Sequence, residues 1–252
     1  MVNNEEIIYL KGIDKKFGAV SVLKDVDFSV KKGEIVALVG DNGAGKSTLI
    51  KILSGLYKQD KGEVWFERKL TNWSSPKDSR NAGIEVVYQD LALQELLSVA
   101  RNFFLAKELL KKGIYGLLGN IDLIRMRSEC IKSLDNLGIH VKSPDRLVEV
   151  LSGGQRQSIA IARSLYYGTK VLVLDEPTAS LSVKETRKVL ELTKLAANRG
   201  LGIIIISHNI MQVHGVTDRI VVLYKGEKVL DEMKTSVSIE EVTNAILTGS
   251  KH

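Results

Sequence analysis

The segment Gly40-Asp41-Asn42-Gly43-Ala44-Gly45-Lys46-Ser47-Thr48 limits what this chain can fold into more than any other. It follows the apolar run "EIVALV" and precedes "STLIKILSGL", whose apolar residues recur at helical spacing. A buried strand turning through a glycine-rich loop straight into a helix is the context of a phosphate-binding loop. The glycines let backbone N–H groups turn inward around phosphates with no Cβ in the way. The helix start adds about half a positive charge where the anion sits. These residues are therefore expected to bind a nucleotide. Lys46 reaches the β- and γ-phosphates, the Ser47 hydroxyl ligates Mg²⁺ and Thr48 lies by the α-phosphate.

Such a site needs a carboxylate at the end of a second buried strand. "VLVLDEP" supplies one: Asp175 for the Mg²⁺ shell and Glu176 as the base that polarises the attacking water. The rest of the chain agrees with an α/β frame. "IIYLKGIDKKFG", "LKDVDFSVKKGEIVALVG" and "GEVWFERKL" read as strands, and "IEVVYQD" as a short buried one. "LSVARNFFLAKELL" and "DLIRMRSECIKSLDNLG" have helical periodicity, with "KKGIYGLLGN" between them as a loop or frayed helix. From Lys170 strands and helices alternate through "KVLVLDEP", "KETRKVLELTKLAANRG", "GIIIISHN" and "DRIVVLYKGEKV". This pattern predicts a mostly parallel sheet, an N-terminal antiparallel β subdomain, and a helical subdomain inserted at about 90–160. The whole of 1–252 is expected to be one nucleotide-binding domain.

Composition narrows the function classes. The longest apolar runs are strand-sized, whereas a membrane helix needs about 20 apolar residues, so no span is expected. The start "MVNNEEIIYLKG" has neither the basic nor the apolar region of a signal peptide. One cysteine, Cys130, excludes an internal disulfide and suits a reducing compartment. The net charge of +6 favours an acidic partner, but the basic residues are scattered.

A second helix start, Leu151-Ser152-Gly153-Gly154-Gln155, also has the form of an anion site. It resembles the signature of the ATP-binding-cassette (ABC) family, and the family's other motifs follow in order. "KKFGAV" offers Phe17 to stack on adenine, "VYQDLAL" offers Gln89 as the Q-loop glutamine and second Mg²⁺ contact, and "IIISHN" offers His208 as the switch histidine. The resemblance covers essentially the whole chain and implies an ATPase with a RecA-like P-loop NTPase core, taking ATP and Mg²⁺. It also explains why one chain carries two phosphate sites. Two cassettes close head to tail, and each ATP lies between one P-loop and the other cassette's signature. With one of each motif here, the partner is expected to be a second copy of this chain.

"LVGDNGAGKSTLIKILSGLYKQDKGEV", "VYQDLALQELLSVARNFFLAKE", "LSGGQRQSIAIAR" and "DEPTASLSVKETRKVLEL" resemble the ATPases of ribose-, galactose-, xylose- and fructose-type importers. That implies separate integral-membrane permease subunits received near Gln89, on Asp90 to about Leu105 and the helical insert, an extracytoplasmic sugar-binding protein, and a place at the cytoplasmic face of the membrane. Two departures stand out: many such proteins carry two fused cassettes, and Ser182 replaces the family's usual D-loop aspartate. The alternative class is a non-transport ABC ATPase acting on nucleic acid or ribosomes. Such proteins generally insert long coiled coils between P-loop and signature or fuse two cassettes. This chain has one cassette, with neither sustained heptads nor a basic arm in that interval, so no nucleic acid is expected. A third alternative, a module that binds ATP without hydrolysing it, is opposed by Glu176 and His208.

Overall fold

The computed structural model describes residues 5–250 and forms two compact units. The first comprises the chain up to Gln89, Thr169–Ala179, and everything from Thr193. The second comprises Asp90–Gly168 and Ser180–Leu192.

The first unit holds two sheets. Strands β1 (Glu6–Phe17), β2 (Val20–Lys31), β4 (Lys61–Phe66) and β5 (Lys69–Thr71) make an antiparallel sheet in the order β2-β1-β4-β5. The larger sheet runs β10-β9-β3-β8-β7-β6, from β3 (Ile35–Val39), β6 (Ile84–Val87), β7 (Val171–Asp175), β8 (Gly202–Ser207), β9 (Arg219–Tyr224) and β10 (Glu227–Met233). Its pairings are parallel except the β9–β10 hairpin. Strands β3 and β8 are buried at every residue, which explains why they read as unbroken Val, Ile and Leu runs rather than alternating ones. Helices α1 (Lys46–Leu53), α2 (Pro76–Ala82), α8 (Ile210–Val213) and α9 (Ile239–Thr248) also belong to this unit.

The second unit is helical: α3 (Val99–Phe103), α4 (Ile114–Leu117), α5 (Leu123–Asp135), α6 (Gly153–Tyr166) and the first part of α7 (Val183–Asn198). Phe103, Phe104, Met126, Cys130, Leu134 and Ile159 form its core. The Phe103–Phe104 pair is thus internal, with ring centroids 5.3 Å apart. By contrast Ile114, Tyr115, Leu117, Leu118 and Ile124 stand exposed. Among the described residues, no helix is long and apolar enough to cross a membrane.

Three segments differ from the sequence-based expectation. "GEVWFERKL" is a hairpin rather than one strand, because Glu67 (φ 47°) and Arg68 (φ 65°) both take left-handed conformations and reverse the chain. "DRIVVLYKGEKV" turns likewise at Lys225-Gly226. "LSVARNFFLAKELL" keeps a helix only over α3. The buried Asn102 amide donates to the carbonyls of Gln94, Leu97 and Ser98, fixing the chain around it, and Ala106 at φ 62° turns the chain away.

Candidate active site

Register gathers the chemistry. In the parallel sheet Val39 of β3 lies opposite Ser207 of β8, Ile206 of β8 opposite Asp175 of β7, and Leu174 of β7 opposite Val87 of β6. Whatever follows these four strands emerges at one edge. The residues are the glycine loop after β3, Gln89 two positions past β6, Asp175 and Glu176 at the end of β7, and His208 just past β8. The crevice beyond the carboxyl ends of parallel strands is where α/β sheets bind ligands.

The loop is braced from two sides. Gly226 in the β9–β10 turn donates to the Ala44 carbonyl at 3.1 Å, and Lys24 in β2 donates to Gly226 at 2.9 Å. Gly45, at φ 107°, caps α1 so close to β2 that a Cβ there would meet the Val22 carbonyl at 2.9 Å. Val22 and residues 42–48 line a hollow of about 140 Å³. Lys46 is buried, and its Nζ donates to the carbonyls of Gly40 (2.7 Å) and Asp41 (3.0 Å). Burial holds its pKa below the ordinary lysine value, against the pull of Glu176, Asp41 and Asp175. Ser47 is exposed and Thr48 half-buried. Phe17 ends β1 opposite Val20, two residues from Val22; its ring is 43% exposed and meets Tyr57 edge-on at 5.3 Å.

At the end of β7, burial and then the neighbouring Glu176 push the Asp175 carboxyl above the ordinary range, with Lys46 and Lys51 partly offsetting them. Glu176 sits at φ 51°, its N–H anchored on the Ile206 carbonyl at 3.0 Å. Its Oε1 accepts from the His208 backbone N–H at 3.0 Å and lies 2.8 Å from His208 Nδ1. Glu176 and His208, far apart in sequence, are thus one constellation.

In the second unit, Ser152 caps α6. Its Oγ accepts from the Gln155 N–H, and the Gln155 side chain accepts from the Ser152 N–H at 3.1 Å. The Gln155 side chain is therefore turned to its own helix end. Glu185, which the sequence reading passed over, also reaches this loop: its Oε1 accepts from the Gly154 N–H at 3.4 Å. The signal was the spacing Ser182-x-x-Glu185, a capping box for α7. Val22 carried no signal, since only the folded hairpin brings it to the loop.

The oxygen donors at this sheet edge suit a divalent ion of the Mg²⁺ kind. Asp175 is a half-buried carboxylate to which no described residue gives a hydrogen bond or ion pair, and hydroxyl and amide oxygens stand at the same sheet edge. No group of three or more His, Cys, Asp or Glu that could hold a metal occurs among the described residues. A hard ion here would thus share its shell with substrate phosphates and water.

A phosphate loop at the carboxyl edge of a parallel sheet, with paired carboxylates and a histidine beside it, defines a nucleotide-hydrolysing cassette. Residues 23–179 match the ABC transporter family, and the chain belongs to that family as an ABC transporter ATPase. It is 46% identical over 241 residues to the xylose/arabinose import ATP-binding protein of Sulfolobus acidocaldarius, covering 96% of this chain and 94% of that one. It is 43% identical over 249 residues to the fructose import ATP-binding protein of Rhizobium meliloti, covering 98% and 95%. Against the ribose import ATP-binding protein of Caldanaerobacter subterraneus, identity is 41%, over 88% of this chain but only 44% of that longer protein. The fold matches the ADP conformation of an ATP-binding cassette of an ABC transporter at TM-score 0.80 and 26% identity, over 96% of this chain and 95% of the other. It matches the dimeric structure of a bacterial ABC transporter cassette at TM-score 0.74 and 27% identity, over 90% and 98%.

Proposed function

We propose that this chain is the ATP-hydrolysing subunit of a monosaccharide importer, working as a single nucleotide-binding domain in a head-to-tail dimer of identical cassettes. The observation that carries the catalytic part is the meeting of Glu176 and His208 beside the phosphate loop, at the edge to which β3, β6, β7 and β8 all lead. The xylose/arabinose and fructose relatives, matched nearly end to end, support sugar import. The dimeric neighbour supports pairing.

In this reading the N–H groups of residues 40–48 and the Lys46 ammonium hold the β- and γ-phosphates, and Phe17 stacks on adenine. Ser47, Gln89 and Asp175 would hold Mg²⁺, which when bound would neutralise phosphate charge. Glu176 orients the attacking water and takes its proton as oxygen bonds to the γ-phosphorus and ADP departs. His208 fixes the Glu176 carboxylate through two contacts and stands ready to contact the γ-phosphate. Ser152, Gly153 and Gly154 of the partner cassette, with Gln155 capping their helix, complete the phosphate's surroundings. Closure and reopening of the dimer drive permease subunits docked near Asp90 to Leu105, placing the protein at the cytoplasmic face of the membrane, and a sugar-binding protein delivers the solute outside.

Glu176→Gln tests the site. ATP binding should persist while turnover falls by about 10²–10⁴-fold; turnover at the parental rate would remove Glu176 from the mechanism. The importer reading is tested by purification from native membranes in mild detergent. A polytopic permease should co-purify, and ribosomal or DNA-bound proteins in its place would overturn that assignment.

A further inference from the structure

The head of α7 is locked onto the signature loop. Glu185 spans the two: its Oε2 accepts from the Ser182 N–H (3.1 Å) and hydroxyl (2.8 Å), while its Oε1 accepts from the Gly154 N–H. The Ser152 hydroxyl stands near enough to this carboxylate to help hold its pKa down. Gly154 leaves room for this approach, because a Cβ there would lie 2.7 Å from the Glu185 Cβ and 2.8 Å from its Cγ. Gly153 is seated in the same way, with the place of its Cβ 2.9 Å from Leu181. A capping box alone would need only Glu185 and Ser182; the contact with Gly154 is additional.

That contact uses a scarce donor. The first turn of α6 offers an incoming anion the Ser152 hydroxyl and the N–H groups of Gly153 and Gly154, since the Gln155 N–H is already taken by Ser152 Oγ. One of the three, the Gly154 N–H, is given to Glu185, and the Glu185 carboxylate also stands beside the Ser152 hydroxyl. We propose that Glu185 is an internal competitor for the signature loop's anion site: its carboxylate holds the Gly154 N–H in the open cassette and must withdraw from the loop before the partner's γ-phosphate can bind. The inference rests on the head-to-tail dimer reading above. Its physical basis is that a carboxylate and a phosphate seek the same N-terminal donors and repel one another. The Ser152 hydroxyl and then the Ser182 hydroxyl hold the Glu185 carboxyl down to about 2, so it stays an anion at neutral pH. On release it turns into solvent, to which it is already partly open.

Dimerisation by sedimentation velocity over an ATP titration tests this in the Glu176→Gln background, where ATP persists. Glu185→Gln keeps the capping box, since glutamine serves there as well as glutamate, and removes both the charge and the second acceptor oxygen that faces Gly154. The double variant should dimerise at about three- to tenfold lower ATP than Glu176→Gln alone, and the advantage should shrink between about 0.05 M and about 0.3 M salt. Glu185→Ala should shift the titration in the same direction. An unchanged or higher ATP requirement would overturn the competitor role and make Glu185 a strut that only positions the loop. If Glu176→Gln bound ATP and never dimerised, the head-to-tail reading would fail and take this inference with it. A dimer that Glu185→Gln leaves unstrengthened defeats this inference alone.

Discussion

Replacing Gly45 by alanine should destabilise the first unit far more than replacing Gly43, although both glycines belong to one loop and both have positive φ. Gly43 (φ 81°) has open space where a Cβ would be, with nothing within 4 Å. Gly43→Ala therefore carries only the left-handed strain of an L-residue, about 1–2 kcal/mol. Gly45 (φ 107°) carries comparable strain, but its Cβ would also stand 2.8 Å from Leu23 Cδ2 and 2.9 Å from the Val22 carbonyl. The leucine tip can move; the Val22 carbonyl is backbone held between Ser21 and Leu23, both paired with β1, and yields far less readily. Overpacking of this kind costs a further ~1–3 kcal/mol. The loss of glycine's freedom in the unfolded chain is common to both substitutions and cancels in the comparison. With a urea slope of about 3 kcal/mol/M, Gly45→Ala should unfold at a midpoint about 0.3–1 M below Gly43→Ala. The measurement is nucleotide-free urea unfolding of both variants, followed by circular dichroism. Coincident midpoints, or a lower one for Gly43→Ala, would refute the claim that β2 fixes the shape of the phosphate loop.

Two further expectations concern the cores. Arg219 bonds Glu34 (2.7 Å), Asp231 (2.6 Å) and the Ser29 carbonyl (2.6 Å) with little solvent contact. Arg219→Met strands Glu34 without its cation and should cost about 3 kcal/mol, or about 1 M in urea midpoint; a shift under a third of that would mean water reaches the cluster. Burial pushes the Cys130 thiol up to about 12, so a thiolate-selective reagent should label it only after unfolding. Fast labelling of the native protein would contradict the packing of the second unit.

What the sequence made legible follows from which signals are local. The phosphate loop, the Asp175-Glu176 strand end and His208 each sit beside an apolar run long enough to be read as a buried strand, and strand ends in a parallel sheet share an edge. Their convergence was thus implied by order alone. The contact between Glu176 and His208 was not, because it depends on register between β7 and β8. The hairpin at Glu67-Arg68 stayed hidden because neither residue is one that favours left-handed turns. The short α3 was obscured by apolar residues at helical spacing that serve an irregular segment held by Asn102. Ser182 was legible as a departure from a pattern, but its consequence needed the neighbouring loop.

That consequence can be argued from donor chemistry. Serine and aspartate both cap helices by accepting an N–H, so either would start α7. Only serine can also donate, and the Ser182 hydroxyl donates to Glu185. An aspartate there would set two carboxylates against each other and drive Glu185 off the signature loop. The acid limb of stability measures what the serine hydroxyl contributes. The folded Glu185 carboxyl titrates at about 2, below its ordinary value of 4.5, because Ser152 and then Ser182 hydrogen-bond its charged form. A depressed carboxylate adds stability that is fully present above about 4.5 and disappears as pH falls towards 2. Ser182→Gly removes the hydroxyl without adding a carboxylate that would itself titrate at the helix cap, so stability should fall less steeply over this interval, while the far-ultraviolet spectrum at neutral pH stays unchanged. Chemical denaturation repeated across the interval reads the slope. An acid limb as steep as the parent's would mean that the Ser182 hydroxyl does not hold Glu185.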